Sequence, residues 1–424
     1  MRTWRIWVGW LVIVSSGLAA DVRAAGPYLD GVFRGRIAYS ADGNHNDPDD
    51  WAASPMVLAI LAECRLREKL VHFHYNNILP QTDLRWEKVH AQSVLEAAEL
   101  WGYDRGRFFD CRQELERAVR DLAAAIDAST AQDPLYLIIA GPVEVPLRAL
   151  QQAAPARREH VFCISHSRWN DGYARNYTFT FTKRAVIELG VAWVQIQDQN
   201  RLLSTSPYGQ PARPEQWAPW HWLRQSDDPK LQFLWQRMEV STRPDPSDAG
   251  MAYFLATGDE MADPEKLRLL LAEHRRPLPL AARAVIRLEA ENFRDLEGFE
   301  VEESAERQVS HRLAIRRQPQ RPAATATARL REPYMADSAV YDLIVRYAQT
   351  DGATEKVAAE WELTIDDPRA GRQVHRWSRR RATGGWADQT LPGVTVSQGV
   401  TLQLRTTAAG ARCDYVELVQ RKQP

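Results

Sequence analysis

At 424 residues the chain exceeds what one ordinary hydrophobic core organises, so two domains are expected. Its 54 Lys and Arg residues face 55 Asp and Glu, a net charge of −1 that excludes the one-signed field of a nucleic-acid-binding surface and an acidic tail. The four cysteines (Cys64, Cys111, Cys163, Cys413) are widely scattered without metal-ligand spacing, and Cys64 and Cys163 lie in apolar runs that read as buried thiols.

The chain opens with Met1-Arg2-Thr3-Trp4-Arg5, an apolar run from Ile6 to Val14, and small residues leading to Ala20 or Ala24. That order predicts a secretory signal peptide over residues 1–24, cleaved near Ala20 or Ala24. The run is short for a bilayer span and no other stretch is long and apolar enough, so a secreted or periplasmic protein free of the membrane is expected.

From residue 36 to about 274, strand-length apolar runs alternate with helix-length periodic segments. Strands are predicted at Arg36–Tyr39, Leu70–Tyr75, Leu135–Ala140, His160–Ser165 and Val191–Gln195. Helices are predicted around Ala52–Cys64, Val89–Trp101, Gln113–Ala128, Val145–Gln152 and Lys183–Leu189, the first with an amphipathic pattern. Strands separated by helices give an α/β unit over residues 25–276, a mostly parallel Rossmann-like sheet with helices on both faces. Ligands of such sheets bind at the carboxyl ends of the strands.

The pattern changes at Arg275-Arg276-Pro277-Leu278-Pro279. Beyond it come short alternating runs at Val285–Glu291, Tyr341–Tyr347, Glu360–Ile365, Thr401–Arg405 and Tyr415–Val419, which predict an all-β sandwich over residues 283–424. The basic, Ala- and Pro-rich stretch Arg312 to Arg331 has no assignment.

The chemistry concentrates where the first strand ends. Ser40 to Trp51 places Asp42, Asp47, Asp49 and Asp50, four carboxylates, within nine residues. Like charges this close repel unless a cation neutralises them, and a hard divalent metal is one reading. The other is a solvated turn whose Asp residues cap the next helix. Three further segments also put polar groups at element ends: Ile139-Ala140-Gly141-Pro142-Val143-Glu144, Ile164-Ser165-His166-Ser167-Arg168-Trp169-Asn170-Asp171, and Pro244-Asp245-Pro246-Ser247-Asp248. Each alone has a bland explanation as a turn, a buried histidine or a helix cap.

In this order the segments resemble the nucleoside hydrolase superfamily, over roughly residues 36–260, and most closely its exported bacterial subgroup. The resemblance implies one Ca²⁺ that grips sugar hydroxyls and the attacking water while an Asp acts as base on an N-glycosidic or related bond. It makes Asp50 and Asp248 metal ligands, with Asp42 completing the acidic cluster and Asp49 supporting it. The acidic turn is one residue longer than the family pattern, and Asn44, which cannot accept a proton, stands nearest the usual base. Asp47 is the substitute, or the reaction differs or is absent. Asn76 and Asn77 stand where the family often contacts sugar. Glu144 is a metal or sugar ligand or a structural residue at a helix start, and His166, Asn170 and Asp171 are candidates for sugar or leaving-group contacts. Trp217, Trp220 and Trp222 form a lid or a subunit contact, and sequence does not choose; the oligomeric state is likewise open.

The sandwich, opening on Glu289-Ala290-Glu291 and closing on Asp414, resembles carbohydrate-binding modules of the calcium-containing type. That resemblance makes Glu289, Glu291 and Asp414 ligands of a second Ca²⁺, although alternate residues of an edge strand give the same spacing. Trp377 and Trp386, flanking Arg379-Arg380-Arg381, are candidate glycan-stacking rings, with core packing the alternative. Two functions follow: a secreted calcium-dependent glycosidase acting on a carbohydrate or nucleoside-like small molecule, or a non-catalytic glycan-binding protein whose hydrolase domain has lost its base.

Overall fold

The computed structural model describes residues 27–424 except 46, 80–82, 169, 173–180, 206–211, 350–358, 380–384, 409 and 422–424. The signal-peptide reading and Arg380-Arg381 therefore lie outside the described residues. Within the described residues no helix is long and apolar enough to cross a membrane.

After a short hairpin (Tyr28–Leu29 with Val32–Phe33), the α/β sheet is built from β1 (Arg36–Ala41), β2 (Leu70–Tyr75), β3 (Phe108–Asp110), β4 (Leu135–Ala140), β5 (Val161–Ser165) and β6 (Ala192–Gln195). Helices of six or more residues are α1 (Asp50–Glu63), α2 (Leu84–Leu100), α3 (Cys111–Asp127), α4 (Glu144–Gln152), α5 (Lys183–Glu188), α6 (Pro229–Ser241), α7 (Ala249–Thr257) and α8 (Pro264–Leu271). The strands are all parallel in the order β3-β2-β1-β4-β5-β6. Every residue of β4 is buried, as expected of a strand covered on both faces. One apolar core packs α1, α2, α6, α7 and α8 on one face, and another packs α3, α4 and α5 on the other. From the central pair β1 and β4 the connections run outward in opposite directions. The crevice beyond their carboxyl ends is thus the switch point where a doubly wound sheet binds ligands.

α1 departs from its amphipathic reading. Residues 50–61 are all buried, because the helix is wedged between the sheet and α2, α6, α7 and α8. β3 has three residues, too few for a pattern to show. Trp220 is fully buried, and Trp217 and Trp222 pack against the same core.

The linker crosses near Leu278, which is 90% exposed. The sandwich follows as β7 (Val285–Glu289), β8 (Asp295–Glu297), β9 (Phe299–Glu303), β10 (Leu313–Arg317), β11 (Ala324–Arg329), β12 (Ser338–Gln349), β13 (Ala359–Asp367), β14 (Gly371–Arg379), β15 (Gly385–Ser397), β16 (Thr401–Thr406) and β17 (Ala411–Gln420). One antiparallel sheet runs β8-β11-β16-β13-β14; the other runs β9-β10-β17-β12-β15, with β7 also paired to β17. A separate apolar core lies between them. The stretch Arg312 to Arg331, unassigned from sequence, supplies β10 and β11. In β11 small Ala side chains face the core and Thr faces outward.

Polar contacts join the two units. Arg184 on α5 donates to the carbonyls of Phe293 (2.6 Å) and Arg294, Tyr334 donates to Leu255 O (2.7 Å), and Arg283 pairs with Glu260 at 2.8 Å. All four cysteines are free thiols, three of them buried.

Candidate functional site

The acidic turn occupies the switch point. The Asp42 N–H, just past β1, reaches Ala140 O at 3.2 Å and Asp50 Oδ2 at 2.9 Å, drawing the ends of β1, β4 and α1 together. Asp49 and Asp248 hold the N-cap positions of α1 and α7, yet neither makes a side-chain cap hydrogen bond among the described residues. Capping therefore does not account for these two carboxylates. Asp42, Asp49 and Asp50 are all buried, and Asp42 Oδ2, Asp49 Oδ1 and Asp50 Oδ1 meet no N–H or hydroxyl donor among the described residues, so a proton shared between carboxylates or a cation must satisfy them.

The electrostatics follow from that burial. It pushes Asp42 up to about 7, against hydrogen bonds from Asp50 and the Gly43 N–H that pull the other way. Burial likewise holds Asp47, Asp49 and Asp50 well above the ordinary carboxylate range, and the charge of Asp248 reaches all three. Asp47 and Asp49 are hydrogen-bonded to each other, which requires a proton on one of the two. Such a cluster is costly unless protons or a cation neutralise it. Among the described residues no three His, Cys, Asp or Glu side chains already converge as a metal cage. The donor-free oxygens bear on the test of fit, because each needs a proton or a cation, and a hard cation takes oxygen ligands in loose geometry.

Two glycines let the turn close this tightly. A Cβ on Gly141 would stand 3.0 Å from Asp42 Cβ and 3.1 Å from Asn77 Oδ1. Gly43 has φ +47°, and a Cβ there would meet the His90 ring at 2.4 Å.

Across the crevice, His166 Nε2 lies 2.7 Å from Asp248 Oδ1, and Nδ1 lies 3.8 Å from Asp198 Oδ1. Burial lowers the imidazole, but hydrogen bonding and charge from Asp198 and Asp248 outweigh it and raise His166 to about 9. The Gln199 N–H, 3.2 Å from Nδ1, suits the neutral ring instead. Two carboxylates outweigh one amide dipole, so the protonated ring is the form this pocket favours near neutral pH.

Several expected contacts resolve differently. Asn44 donates to Ile78 O (2.9 Å) and accepts from Ile78 N–H (3.1 Å), so its amide pins the turn to the loop after β2. Asn76, at φ +58°, donates to Glu87 O and Asp110 and bonds His90 Nδ1 at 3.0 Å; it is a strut, not a sugar contact. Asn77 donates to Ser40 Oγ and Pro142 O, but its Oδ1 is buried and unpartnered among the described residues, beside Asp42. Glu144 is drawn to Arg148 at 2.5 Å, one helical turn on, and away from the metal role. Asp171 accepts from Ser165 Oγ at 2.8 Å and pairs with Lys183 at 3.2 Å, which turns it toward the sandwich. Asn170 is buried.

In the sandwich the three expected ligands, Glu289, Glu291 and Asp414, are all buried. Ser310 joins two of them, its hydroxyl donating to Glu289 Oε1 (2.8 Å) and its N–H to Asp414 Oδ1 (3.0 Å). Burial raises Glu289 well above its ordinary range and both Glu291 and Asp414 to about 7. Glu289 Oε2 and Glu291 Oε2 have no hydrogen-bond partner among the described residues, although Lys183 stands 3.6 Å from Glu291 Oε1. Arg346 likewise stands 3.6 Å from Asp414 Oδ2, so two of the three carboxylates already have a cationic side chain nearby, and only the orphaned Glu oxygens leave room for a hard cation. The two tryptophans fit stacking less well. Trp377 lies against Trp361 (6.3 Å, 7° between planes) at the core edge, and Arg412 covers the Trp386 ring at 4.8 Å while Trp386 Nε1 donates to Glu306 at 2.7 Å.

The "uncharacterized protein P22" of Formosa agariphila is 30% identical over 243 residues, which is 53% of this chain and 84% of that protein. The chain belongs to the P22 family. No family model matches it. Among solved structures it is similar to a GH26-CBM35 β-(1,4)-mannanase of Podospora anserina (16% identity, TM-score 0.26, 33% of this chain and 28% of that one). It is also similar to a C-terminal CBM6 of the laminarinase LamC of Zobellia galactanivorans (13% identity, TM-score 0.24, 32% of this chain and 99% of that one). A family 35 carbohydrate-binding module of Clostridium thermocellum is 16% identical at TM-score 0.24, covering 33% of this chain and all of that one. Scores this low carry no argument about what this P22-family chain binds.

Two features of this P22-family chain escaped the sequence reading. Asp198, partner of His166, lies in Gln195-Ile-Gln-Asp-Gln-Asn200, and its position just past β6 was the available signal. A buried chain, Asp121 to His72 (2.7 Å) to His74 (2.9 Å), runs along β2 under α3; the alternation His72-Phe73-His74 marks the face.

Proposed function

We propose that the chain is an exported, calcium-dependent glycosidase of nucleoside-hydrolase type, acting on a glycosidic bond of a carbohydrate or nucleoside-like molecule, with the sandwich as a glycan-binding module. The observation that carries this reading is the set of buried, donor-free oxygens on Asp42, Asp49 and Asp50 at the switch point, facing Asp248 across the crevice. Asp42, Asp50 and Asp248 would hold the ion, and Glu289, Glu291 and Asp414 would hold a second one in the sandwich. The bound ion supplies a grip on sugar hydroxyls and a more acidic water.

The chain's own groups supply the rest. Asp47, hydrogen-bonded to Asp49 and outside the proposed ligand set, is the carboxylate that would take a proton from water. His166, held protonated by Asp248 and Asp198, is placed to give a proton to a departing group. Asn77 Oδ1 is the remaining acceptor for a sugar hydroxyl. Hydrolysis of a panel of nucleosides and oligosaccharides, with and without chelator, tests the reading. Calcium-dependent turnover lost in Asp47→Asn supports it, and no turnover by the calcium-loaded chain on any substrate overturns it.

One observation favours a second reading, a glycan-binding protein without turnover: Asn44, nearest the expected base, is locked to the backbone of Ile78. Glycan binding that survives Asp47→Asn in an inactive parent would support it.

A further inference from the structure

A second cleft, distinct from the acidic turn, opens where the sandwich meets the α/β unit, with a volume of about 1040 Å³. That is the upper end of ligand pockets, roomy for more than one sugar ring. Its walls carry seven arginines against four carboxylates, an excess of positive charge in a chain whose net charge is −1.

Most of these arginines are already engaged. Arg168 pairs with Glu303, Arg283 with Glu260 at 2.8 Å, Arg287 with Glu417 at 2.5 Å, and Arg346 with Asp388 at 3.1 Å. Arg307 and Arg312 are exposed and make no ion pair among the described residues. Arg201 is 85% exposed and, among the described residues, pairs with Asp198 alone, at 3.8 Å. Three guanidinium groups from two structural units thus face one cleft with their forks unspent.

The loop presenting two of them is held in a costly shape. His311 and Arg312 are consecutive non-glycine residues with φ +45° and +55°, a left-handed conformation that costs roughly 1–2 kcal/mol per residue. Such strain persists only where the surroundings impose it, and it clusters at functional sites. Here buried Val309 and the bonds from Ser310 to Glu289 and Asp414 impose it.

We infer that this cleft binds an acidic oligosaccharide, one carrying uronate carboxylates or sulfate esters, through Arg201, Arg307 and Arg312. Planar guanidinium forks match both anions in bidentate geometry. The tight Arg287 stack over Tyr415 (4.1 Å) leaves a flat wall in the same cleft, against which a sugar face can lie. A nucleic acid would need a basic face extending beyond one cleft, and the charge balance does not supply it. The inference rests on the glycan reading of the sandwich and on nothing in the acidic turn.

Isothermal titration of the full chain tests it with an oligogalacturonate (carboxylate only), a carrageenan oligosaccharide (sulfate only), cellohexaose (neutral) and a single-stranded oligonucleotide. The parent is expected to bind at least one acidic oligosaccharide in preference to cellohexaose, and more weakly as salt rises. Arg307→Ala/Arg312→Ala is expected to weaken that binding by about tenfold or more. Arg307→Lys/Arg312→Lys, which keeps charge but loses the fork, should fall between. The carboxylate and sulfate arms identify the anion. Equal affinity of parent and Ala double variant, or preference for cellohexaose or the oligonucleotide, overturns the inference. Arg-dependent binding by a chain that hydrolyses nothing upholds the cleft while the proposed reaction falls, so the two failures are distinct.

Discussion

Replacing Asp50 with asparagine removes one charge from the acidic turn and keeps the side chain's shape. Asp50 is fully buried; its Oδ2 accepts the Asp42 N–H at 2.9 Å, and its Oδ1 meets no N–H or hydroxyl donor among the described residues. Asparagine preserves the accepting oxygen. If the cluster exists to hold a cation, Asp50→Asn relieves repulsion in the metal-free protein, so its Tm holds or rises. The same change removes a ligand, so stabilisation by calcium is lost. An ion at about 100 times its Kd contributes about 2.7 kcal/mol. For a unit the size of this α/β part, that corresponds to roughly 5–10 °C. Melting curves with chelator and with calcium read both effects. Glu291→Gln, run in parallel, removes a carboxylate from the sandwich cluster alone and separates the two contributions. A metal-free Asp50→Asn protein that melts several degrees lower while keeping the full calcium shift would refute the reasoning, because Asp50 would then be a structural strut.

Three further predictions concern single residues. Burial raises Glu332 from 4.5 to about 8, over the opposing pull of Arg283, so the folded state binds its proton more tightly than the unfolded chain does. That contribution is complete below pH 4.5 and is lost as pH rises toward 8, by up to about 5 kcal/mol at about 1.4 kcal/mol per pH unit; Glu332→Gln should flatten this part of the stability–pH curve, and an unchanged slope would count against it. Gly43→Ala must fit a Cβ 2.4 Å from His90 at positive φ, and is expected to cost at least about 2 kcal/mol in denaturant unfolding. Asn44→Asp supplies the acid that the nucleoside-hydrolase reading expects there but points a carboxylate at Ile78 O, so it should lose about 2 kcal/mol of stability and gain no turnover; higher activity would show that Asn44 had been a lost base.

The sheet was legible because its strands are buried on both faces and read as continuous apolar runs, as in Leu135–Ala140. Among the strands that were not legible, which in the sandwich include β8, β9, β10, β14 and β15, β3 is too short to show a pattern and β11 is built from alternating Ala and Thr that carry little hydropathy contrast. The acidic turn was legible as a cluster because charge density is local in sequence. What sequence withheld was the partner of each polar side chain. Asn44, Asn76 and Asp171 each bond to groups far along the chain, and nothing local marks those bonds. Glu144 is different, since Arg148 four residues on was a visible helical partner. The arginine cleft was invisible for the same reason as the long-range bonds: Arg201 and Arg312 lie on separate units and meet only when the sandwich docks.

The central claim is that the acidic turn is a cation site. Diffraction from crystals of the full chain equilibrated with manganese, a scatterer that substitutes for calcium at oxygen ligands, tests it most directly. The account predicts an anomalous peak bounded by Asp42, Asp50 and Asp248, displaced by excess calcium. A peak at Glu289, Glu291 and Asp414 with none at the acidic turn would contradict it.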